Sequence, residues 1–329
     1  MAYNTFLTQS GTSITLTQSL SDTGADGRSW RILSGSDTYD FYITDDYKIA
    51  KVTNAGTPTL SSALSVSATS NITLCIDRNK TFVYIVYYDG SDTYLEIMTI
   101  STMAFSGATD TTAGVQPLKA LINPAGTKII WIGSNNTLYR MDFDGSNLES
   151  YYDISYVKNT FTITQDGEVY IGCQQQFRKI NETWDGVTYY SYGFDTNRNT
   201  ASFCTDTHVY FLNYRTANGA TYIIKMALSD NSFTNVNINS TYSITSTDIK
   251  KFYLVNNNGT YEGRLLENNG SDRKILYKVN LTDLTLTSLK VLDLGAGSYD
   301  FADTGTVATI GGSGSNGDEG GGQWSTING

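Results

Sequence analysis

The hydrophobic residues of this chain alternate with polar ones in short runs, and an alternation with a period of two is typical of β-strands. Four of these runs are FVYIVYY, KIIWIG, EVYIGC and HVYFLNY, which are rich in β-branched and aromatic residues and are bounded by Asp, Asn or Gly. β-Branched and aromatic residues favour strands, whereas Asp, Asn and Gly favour turns. Because no stretch shows a clear 3.6-residue period, the sequence predicts an all-β protein.

A strand–turn–strand unit with an apolar anchor residue in its first strand recurs along the chain. The six anchor residues are Val52, Met98, Met141, Ile180, Met226 and Val279. They are spaced 39 to 53 residues apart, with a mean of about 45. This period is the length of one four-stranded blade of a β-propeller.

A pair of apolar strands precedes several of these units and supplies two further strands for each repeat. Between the two strands of a pair lies an acidic or amide residue, namely Asp77, Asn123, Asp166 or Asp206. We expect each of these side chains to accept hydrogen bonds from the backbone of its own tight turn. Each repeat therefore contains four antiparallel strands, a to d.

The two ends of the chain complete this pattern. The first 20 residues resemble a c–d pair, and Leu7 precedes Val52 by 45 residues, in phase with the other anchors. The last 30 residues resemble an a–b pair, SYDFAD and TVATIGG. The prediction is a single seven-bladed propeller over residues 1–329, closed by pairing of N- and C-terminal strands. Its predicted blades are 28–70, 71–117, 118–157, 158–195, 196–240, 241–294, and a composite of 1–20 with 295–329.

One segment resembles a known repeat family. TKIIWIGSNNTLYRMDFDGSNLESY, residues 127–151, is similar to a blade of the YWTD and TolB-like propellers, which pair an aromatic b-strand with a c-strand ending in Asp-Gly. The other repeats share the layout without the Asp-Gly. The resemblance implies the propeller fold, and since propellers host many unrelated roles it implies no particular function.

Composition excludes several classes of function. The net charge is −10 and there is no basic run, which argues against a nucleic-acid partner. The chain has no uninterrupted stretch of about 18 apolar residues, so we expect no membrane insertion. The start MAYNTFLTQSG lacks the features of a signal peptide. The three cysteines and His208 lie in strand-like contexts, so we interpret them as structural residues. No motif for catalysis, a metal or a cofactor is present.

Loop lengths suggest where a partner binds. In a propeller the b–c and d–a loops share one face, and the longest connections assigned to it are Asn256 to Arg273 and the glycine-rich stretch Gly311 to Gly322. The connection from Phe105 to Gln116 opens on the same face. Exposed aromatic and charged residues favour binding, so the predicted contacts are Tyr261, Glu262, Arg264 and Trp324.

Three functions are compatible with these features. The first is a non-enzymatic structural or adhesion protein of a virion, such as a bacteriophage tail or capsid appendage, assembled in the host cytoplasm. It would contact other virion proteins or a host-surface glycan or protein. The second is a glycan-binding lectin or a propeller glycosidase, secreted or on a surface, and the third is an intracellular protein-interaction scaffold. The first is favoured by the low charge, the Ser/Thr/Asn/Gly/Tyr-rich composition and the missing catalytic motifs.

Overall fold

Short antiparallel β-strands account for nearly all of the regular structure. The computed structural model describes residues 3–10, 13–21, 29–34, 37–43, 48–53, 58–66, 68, 70–77, 81–151, 161–173, 176–191, 197–215, 219–244, 249–257, 260–268 and 273–293. These residues form 27 strands and one five-residue helix. The strands belong to two compact units, of which the first contains β1 to β15 and the second β16 to β27.

The first unit consists of a two-stranded sheet followed by three larger sheets. Its strands are β1 (Tyr3–Ser10), β2 (Ser13–Ser21), β3 (Ser29–Ser34), β4 (Asp37–Ile43), β5 (Lys48–Thr53), β6 (Pro58–Ala63), β7 (Ser70–Ile76), β8 (Phe82–Tyr88), β9 (Thr93–Thr99), β10 (Ala104–Phe105), β11 (Thr109–Asp110), β12 (Pro117–Ile122), β13 (Lys128–Gly133), β14 (Leu138–Asp142) and β15 (Glu149–Tyr151). The larger sheets comprise β3 to β6, β7 to β11 and β12 to β15. In the middle one the outer strand is split, because β10 and β11 both pair with β9.

The second unit consists of three four-stranded sheets, β16 to β19, β20 to β23 and β24 to β27. Its elements are β16 (Phe161–Ile163), β17 (Val169–Cys173), β18 (Gln176–Ile180), β19 (Val187–Ser191), β20 (Asn197–Cys204), β21 (His208–Arg215), β22 (Ala220–Ala227), β23 (Phe233–Asn237), α1 (Ile238–Tyr242), β24 (Ile249–Asn257), β25 (Thr260–Asn268), β26 (Arg273–Val279) and β27 (Leu286–Asp293). The sequence pattern did not predict α1, whose cap Asn237 accepts a hydrogen bond from the Ser240 amide.

The repeat predicted from the sequence is present as a repeat of sheets. In each larger sheet consecutive strands pair antiparallel, except that β11 pairs with β9 and not with β10. Each sheet lies inside one of the six ranges from 28–70 to 241–294 or begins one residue before it. All six anchor residues lie on the third strand of their sheet, and those from Met98 to Val279 have no exposed surface. The anchors therefore mark the core-facing position of each repeat.

The turns between first and second strands confirm only part of the prediction. Asp77 accepts hydrogen bonds from the amides of Thr81 and Phe82, and Asn123 caps the equivalent turn of its own sheet. The prediction is wrong for Asp166 and Asp206, whose exposed side chains make no hydrogen bond among the described residues. These two turns are shorter, so a threonine occupies the equivalent position. In one turn it is Thr164, two residues before Asp166, and in the other Thr205, one residue before Asp206.

The core lies between neighbouring sheets within each unit. The first strands of consecutive sheets contact each other, β7 against β12 and β20 against β16 and β24. Hydrogen bonds cross these contacts, since the Ala120 amide donates to Thr73 Oγ1 at 3.1 Å and the buried Cys204 thiol donates to the Ile163 carbonyl at 3.0 Å. Cys204 is thus a small buried residue, as predicted, and so is Cys75.

At the N-terminus β1 and β2 form the antiparallel pair predicted there, with Leu7 opposite Leu16. The strands predicted to complete this blade, in residues 295–329, lie outside the described residues. The glycine-rich stretch Gly311 to Gly322 lies outside them as well.

A candidate binding groove between two adjacent sheets

A groove of about 370 Å³ opens in the second unit, at the ends of the sheets β20 to β23 and β24 to β27. One wall is the β20–β21 turn, residues 205–208. Tyr210 on β21 and Lys225 on β22 lie behind it, and the opposite wall is the β26–β27 turn with Leu281 and Thr282. We call this surface the His208 groove. Its volume falls at the lower end of the roughly 300–1,000 Å³ common for small-ligand sites.

The β20–β21 turn presents three side chains to the groove because a threonine holds it in shape. Thr205 Oγ1 accepts a hydrogen bond from the His208 amide at 3.2 Å, and the Thr205 amide donates to the His208 carbonyl at 2.8 Å. The turn is therefore closed from within. Asp206 and Thr207 remain exposed, and His208 is half-buried.

The floor of the groove is a contact between the two sheets. Lys225 Nζ donates to the carbonyls of Leu281 and Thr282, each at 2.9 Å. The Tyr210 hydroxyl donates to the same Leu281 carbonyl at 3.2 Å. Since Tyr210 and Lys225 are register partners on adjacent strands, both reach the same turn of the next sheet.

Burial and neighbouring groups shift the pKa values of His208 and Tyr210 in the groove. Burial lowers the pKa of His208, and Lys225 lowers it further, whereas Asp230 raises it. Burial raises the pKa of Tyr210 to about 12, opposed by a hydrogen bond with Thr205. The imidazole and the phenol are therefore neutral at pH 7. His208 Nδ1 lies 2.8 Å from Thr207 Oγ1, which leaves Nε2 without a partner among the described residues.

Two further carboxylates lie near the groove. The Ser232 amide and hydroxyl lower the pKa of Asp230, with a smaller contribution from His208. Hydrogen bonds from Thr285 lower the pKa of Asp283, and Lys225 contributes to the same shift. The ammonium of Lys225 therefore bonds two backbone carbonyls, and of these two carboxyl groups it lowers the pKa of Asp283.

The described side chains of the groove form neither a metal site nor a hydrogen-bonded catalytic triad. In the described part of the chain no three His, Cys, Asp or Glu side chains are grouped as a metal site would require. Among the residues that line the groove, Asp206 is the single carboxylate. Catalysis by an imidazole and a hydroxyl also needs a third group that orients the ring. No described residue bonds Nε2 of His208 in that way.

Of the four predicted contact residues, only Glu262 has a side chain in the described part of the structure, and it does not line the groove. The expected long connection from Asn256 to Arg273 is wrong, because residues 260–268 form β25 in the middle of a sheet. Glu262 is buried and forms an ion pair with Lys278, so it is no exposed contact. Tyr261 and Arg264 lie on the same strand, with side chains outside the described part, and Trp324 is outside the described residues altogether.

The predicted opening from Phe105 to Gln116 is also not a free loop. Residues 109–110 form β11, and Thr111 Oγ1 donates to the Thr93 carbonyl at 2.7 Å. The Val115 amide donates to Thr93 Oγ1 at 2.9 Å. This connection is therefore held against β9 and the residues just before it.

The sequence contained one unused indication of the groove. The residue immediately before the anchor is basic in five of the six repeats, namely Lys51, Arg140, Lys179, Lys225 and Lys278. In the sheet β3 to β6, Lys51 Nζ donates to the Ile100 carbonyl of the next sheet at 2.9 Å. Ile100 follows the anchor Met98 by two residues, just as Leu281 follows the anchor Val279. The groove is thus built on a recurring contact between adjacent sheets.

Comparison with known proteins identifies the fold and nothing narrower. No protein-family model and no curated protein matches the sequence. A crystal structure of a protein from Lactobacillus plantarum is similar, with a TM-score of 0.59, 14% identity, and coverage of 90% of this chain and 96% of that one. The WD40 domain of Toxoplasma gondii coronin is similar with a TM-score of 0.56, 10% identity, and coverage of 88% and 74% respectively.

WD40 domains are β-propellers built of four-stranded blades. Together with the consecutive four-stranded antiparallel sheets described above, this similarity defines the protein as a β-propeller. Within the described residues no helix has the length and apolar character needed to cross a membrane.

Proposed function

We propose that this protein is a non-enzymatic binding propeller and that the His208 groove is its contact surface. The observation that carries the proposal is the grouping of the Asp206 carboxylate with the hydrogen-bonded pair Thr207–His208, whose Nε2 has no partner among the described residues, over a floor fixed by Lys225 and Tyr210. A few polar groups held rigidly beside apolar surface are typical of ligand sites.

The groove favours binding over hydrolysis. A glycosidase needs two carboxyl groups about 5–10 Å apart that face the scissile bond. Asp206 has no second carboxylate opposite it in the lining of the groove. The lectin alternative therefore fits this surface better than the glycosidase alternative does.

The setting of this binding function rests on composition alone. The protein would be a virion component, with other virion proteins or a host-surface glycan or protein as its partner. This setting agrees with the low share of charged residues, 16% of the chain, and with the net charge of −10. Detection of the chain at a fixed number of copies in purified virions would support this setting. A chain found only as a free monomer in the host cell would contradict it.

The proposed architecture is a closed ring of seven blades. It is supported by the six larger sheets of the repeat and by the β1–β2 pair, which lies in phase with them. Pairing of this hairpin with strands in residues 295–329 would complete the seventh blade and remove an open sheet edge.

The binding function is tested with a fragment library and the purified full-length protein by saturation-transfer NMR. We expect hits that the substitution Thr207→Trp abolishes, because an indole at this exposed turn fills the groove. The matched control is Thr127→Trp, at an exposed threonine in the corresponding turn of another sheet. Hits that survive Thr207→Trp, or a complete absence of hits, would contradict the proposal.

A further inference from the structure

The charged groups that line the His208 groove balance each other. Lys225 is the one cation in its lining and Asp206 is the one carboxylate. A charged ligand would therefore meet no excess of opposite charge that compensates for the loss of its hydration.

Most of the hydrogen-bond donors of the Lys225 ammonium already bond to the protein itself. Two of its three N–H groups donate to the carbonyls of Leu281 and Thr282. One donor remains for a ligand, and it is not arranged as the bidentate clamp that carboxylate or phosphate recognition uses. Lys225 therefore offers a single hydrogen bond.

The groups that remain free suit a ligand that both donates and accepts hydrogen bonds. Asp206 accepts and Lys225 donates. Thr207 Oγ1 and His208 Nδ1 are bonded to each other, so in either tautomer the pair offers a ligand one donor and one acceptor, at Nε2 and at the Thr207 hydroxyl. Hydroxyl groups are the ligand groups with the same dual capacity. Apolar surface lies beside them, since the half-buried imidazole, the Leu281 side chain and the Lys225 stem line the same groove.

We propose that the His208 groove is a binding site for a neutral saccharide. Ring hydroxyls would bond Asp206, Thr207 and His208, and the C–H face of the sugar would lie on the imidazole and Leu281. This inference rests on the proposed function, because it names the ligand class of the same groove.

The test uses the full-length protein and five soluble probes, with affinities measured by saturation-transfer NMR titration. Three are neutral: methyl β-glucoside, methyl β-galactoside and methyl α-mannoside. Two are charged relatives, glucuronate and glucosamine. We expect at least one neutral glycoside to bind, and both charged sugars to bind about tenfold more weakly than this glycoside, or worse.

Two variants locate the site. His208→Phe retains an aromatic ring but loses both ring nitrogens, so neutral-glycoside affinity is expected to fall about tenfold. Thr127→Val, a threonine outside the groove, is expected to leave affinity unchanged. Melting curves of both variants establish that they are folded. Charged probes that bind as well as neutral ones, or affinity unaffected by His208→Phe, would overturn the inference.

The outcomes separate the two proposals. If no glycoside binds while fragment hits are still abolished by Thr207→Trp, the saccharide inference fails and the groove remains a binding site for another ligand class. If both screens are silent, the proposed function fails as well.

Discussion

Residues in left-handed backbone conformation close several of the turns between third and fourth strands. Met103, Asn231 and Leu284 have φ values of 57°, 59° and 61°. Each amide donates to the carbonyl four residues earlier, at 2.8 to 3.0 Å. A non-glycine residue costs about 1–2 kcal/mol in this conformation. At Leu284 full burial of the side chain offsets that cost.

Substitutions at Leu284 separate the stabilisation by side-chain burial from the cost of the left-handed backbone. Leu284→Ala removes buried apolar atoms and is expected to lower the free energy of unfolding by about 2–5 kcal/mol. Leu284→Gly should be no less stable than Leu284→Ala, because glycine adopts positive φ without strain. Chemical denaturation of the two variants measures this. Leu60→Ala is the control, at a leucine with 51% of its surface exposed, and should change stability by less than about 1 kcal/mol.

A glycine variant clearly less stable than the alanine variant would contradict a backbone strain at position 284. Equal losses at Leu60 and Leu284 would contradict the packing argument.

At this scale the sequence predicts some residues and misses others for a physical reason. The anchors are found because an apolar residue on a strand, repeated every 45 residues or so, reflects one core position. Leu284 and Met103 escape notice because an apolar residue inside a polar turn has no periodic partner. Aspartate is the commoner turn residue, so the pattern indicates Asp206, whereas the shorter turn places the hydroxyl of Thr205 at the His208 amide.

In two of the repeats, the basic residue that precedes the anchor joins its sheet to the next sheet. Lys225 bonds two carbonyls of the next sheet, and Lys51 bonds one in the first unit. Lys179, at the same repeat position, instead forms an ion pair with Glu168 of its own sheet. One position in the repeat therefore serves two kinds of contact.

Replacing these lysines by methionine distinguishes the contacts. Lys225→Met keeps the apolar stem and removes the charge-assisted hydrogen bonds, so the free energy of unfolding should fall by roughly 1–3 kcal/mol. Lys179→Met removes a partly exposed ion pair and should cost less than about 1 kcal/mol. Urea denaturation provides both values. Equal effects would show that the contact with the next sheet adds nothing.

The strand β25 shows why one element was missed. Its sequence TYEGRLLEN contains two glutamates and an arginine, which is typical of an exposed loop. Glu262 and Glu267 are nevertheless buried, because Lys278 and the Tyr277 hydroxyl reach them from the neighbouring strand. Gly263 lies where an added Cβ would come within 2.9 Å of Val279 Cβ. These compensations come from residues 10 to 16 positions away, beyond any local pattern.

For the whole molecule, the sequence predicts the repeat, the strand order within each sheet and the propeller fold. Each follows from a period that local strand patterns reveal. It does not predict the groove, because the groove combines a turn of one sheet with a turn of the next, some 75 residues further along the chain. The number of blades and the closure of the ring stay predictions.

The closure of the ring is tested by removing the N-terminal hairpin. Among the described strands β1 and β2 pair only with each other, and an isolated two-stranded sheet is at best marginally stable in water. If residues 295–329 complete its blade, deletion of residues 1–21 leaves an unpaired edge and should lower the Tm by roughly 5–15 °C. Deletion of residues 313–329, beyond the predicted closing strands, should leave the Tm within about 2 °C. Differential scanning calorimetry measures both, and a chain without its first 21 residues that melts like the intact protein would exclude closure by this hairpin.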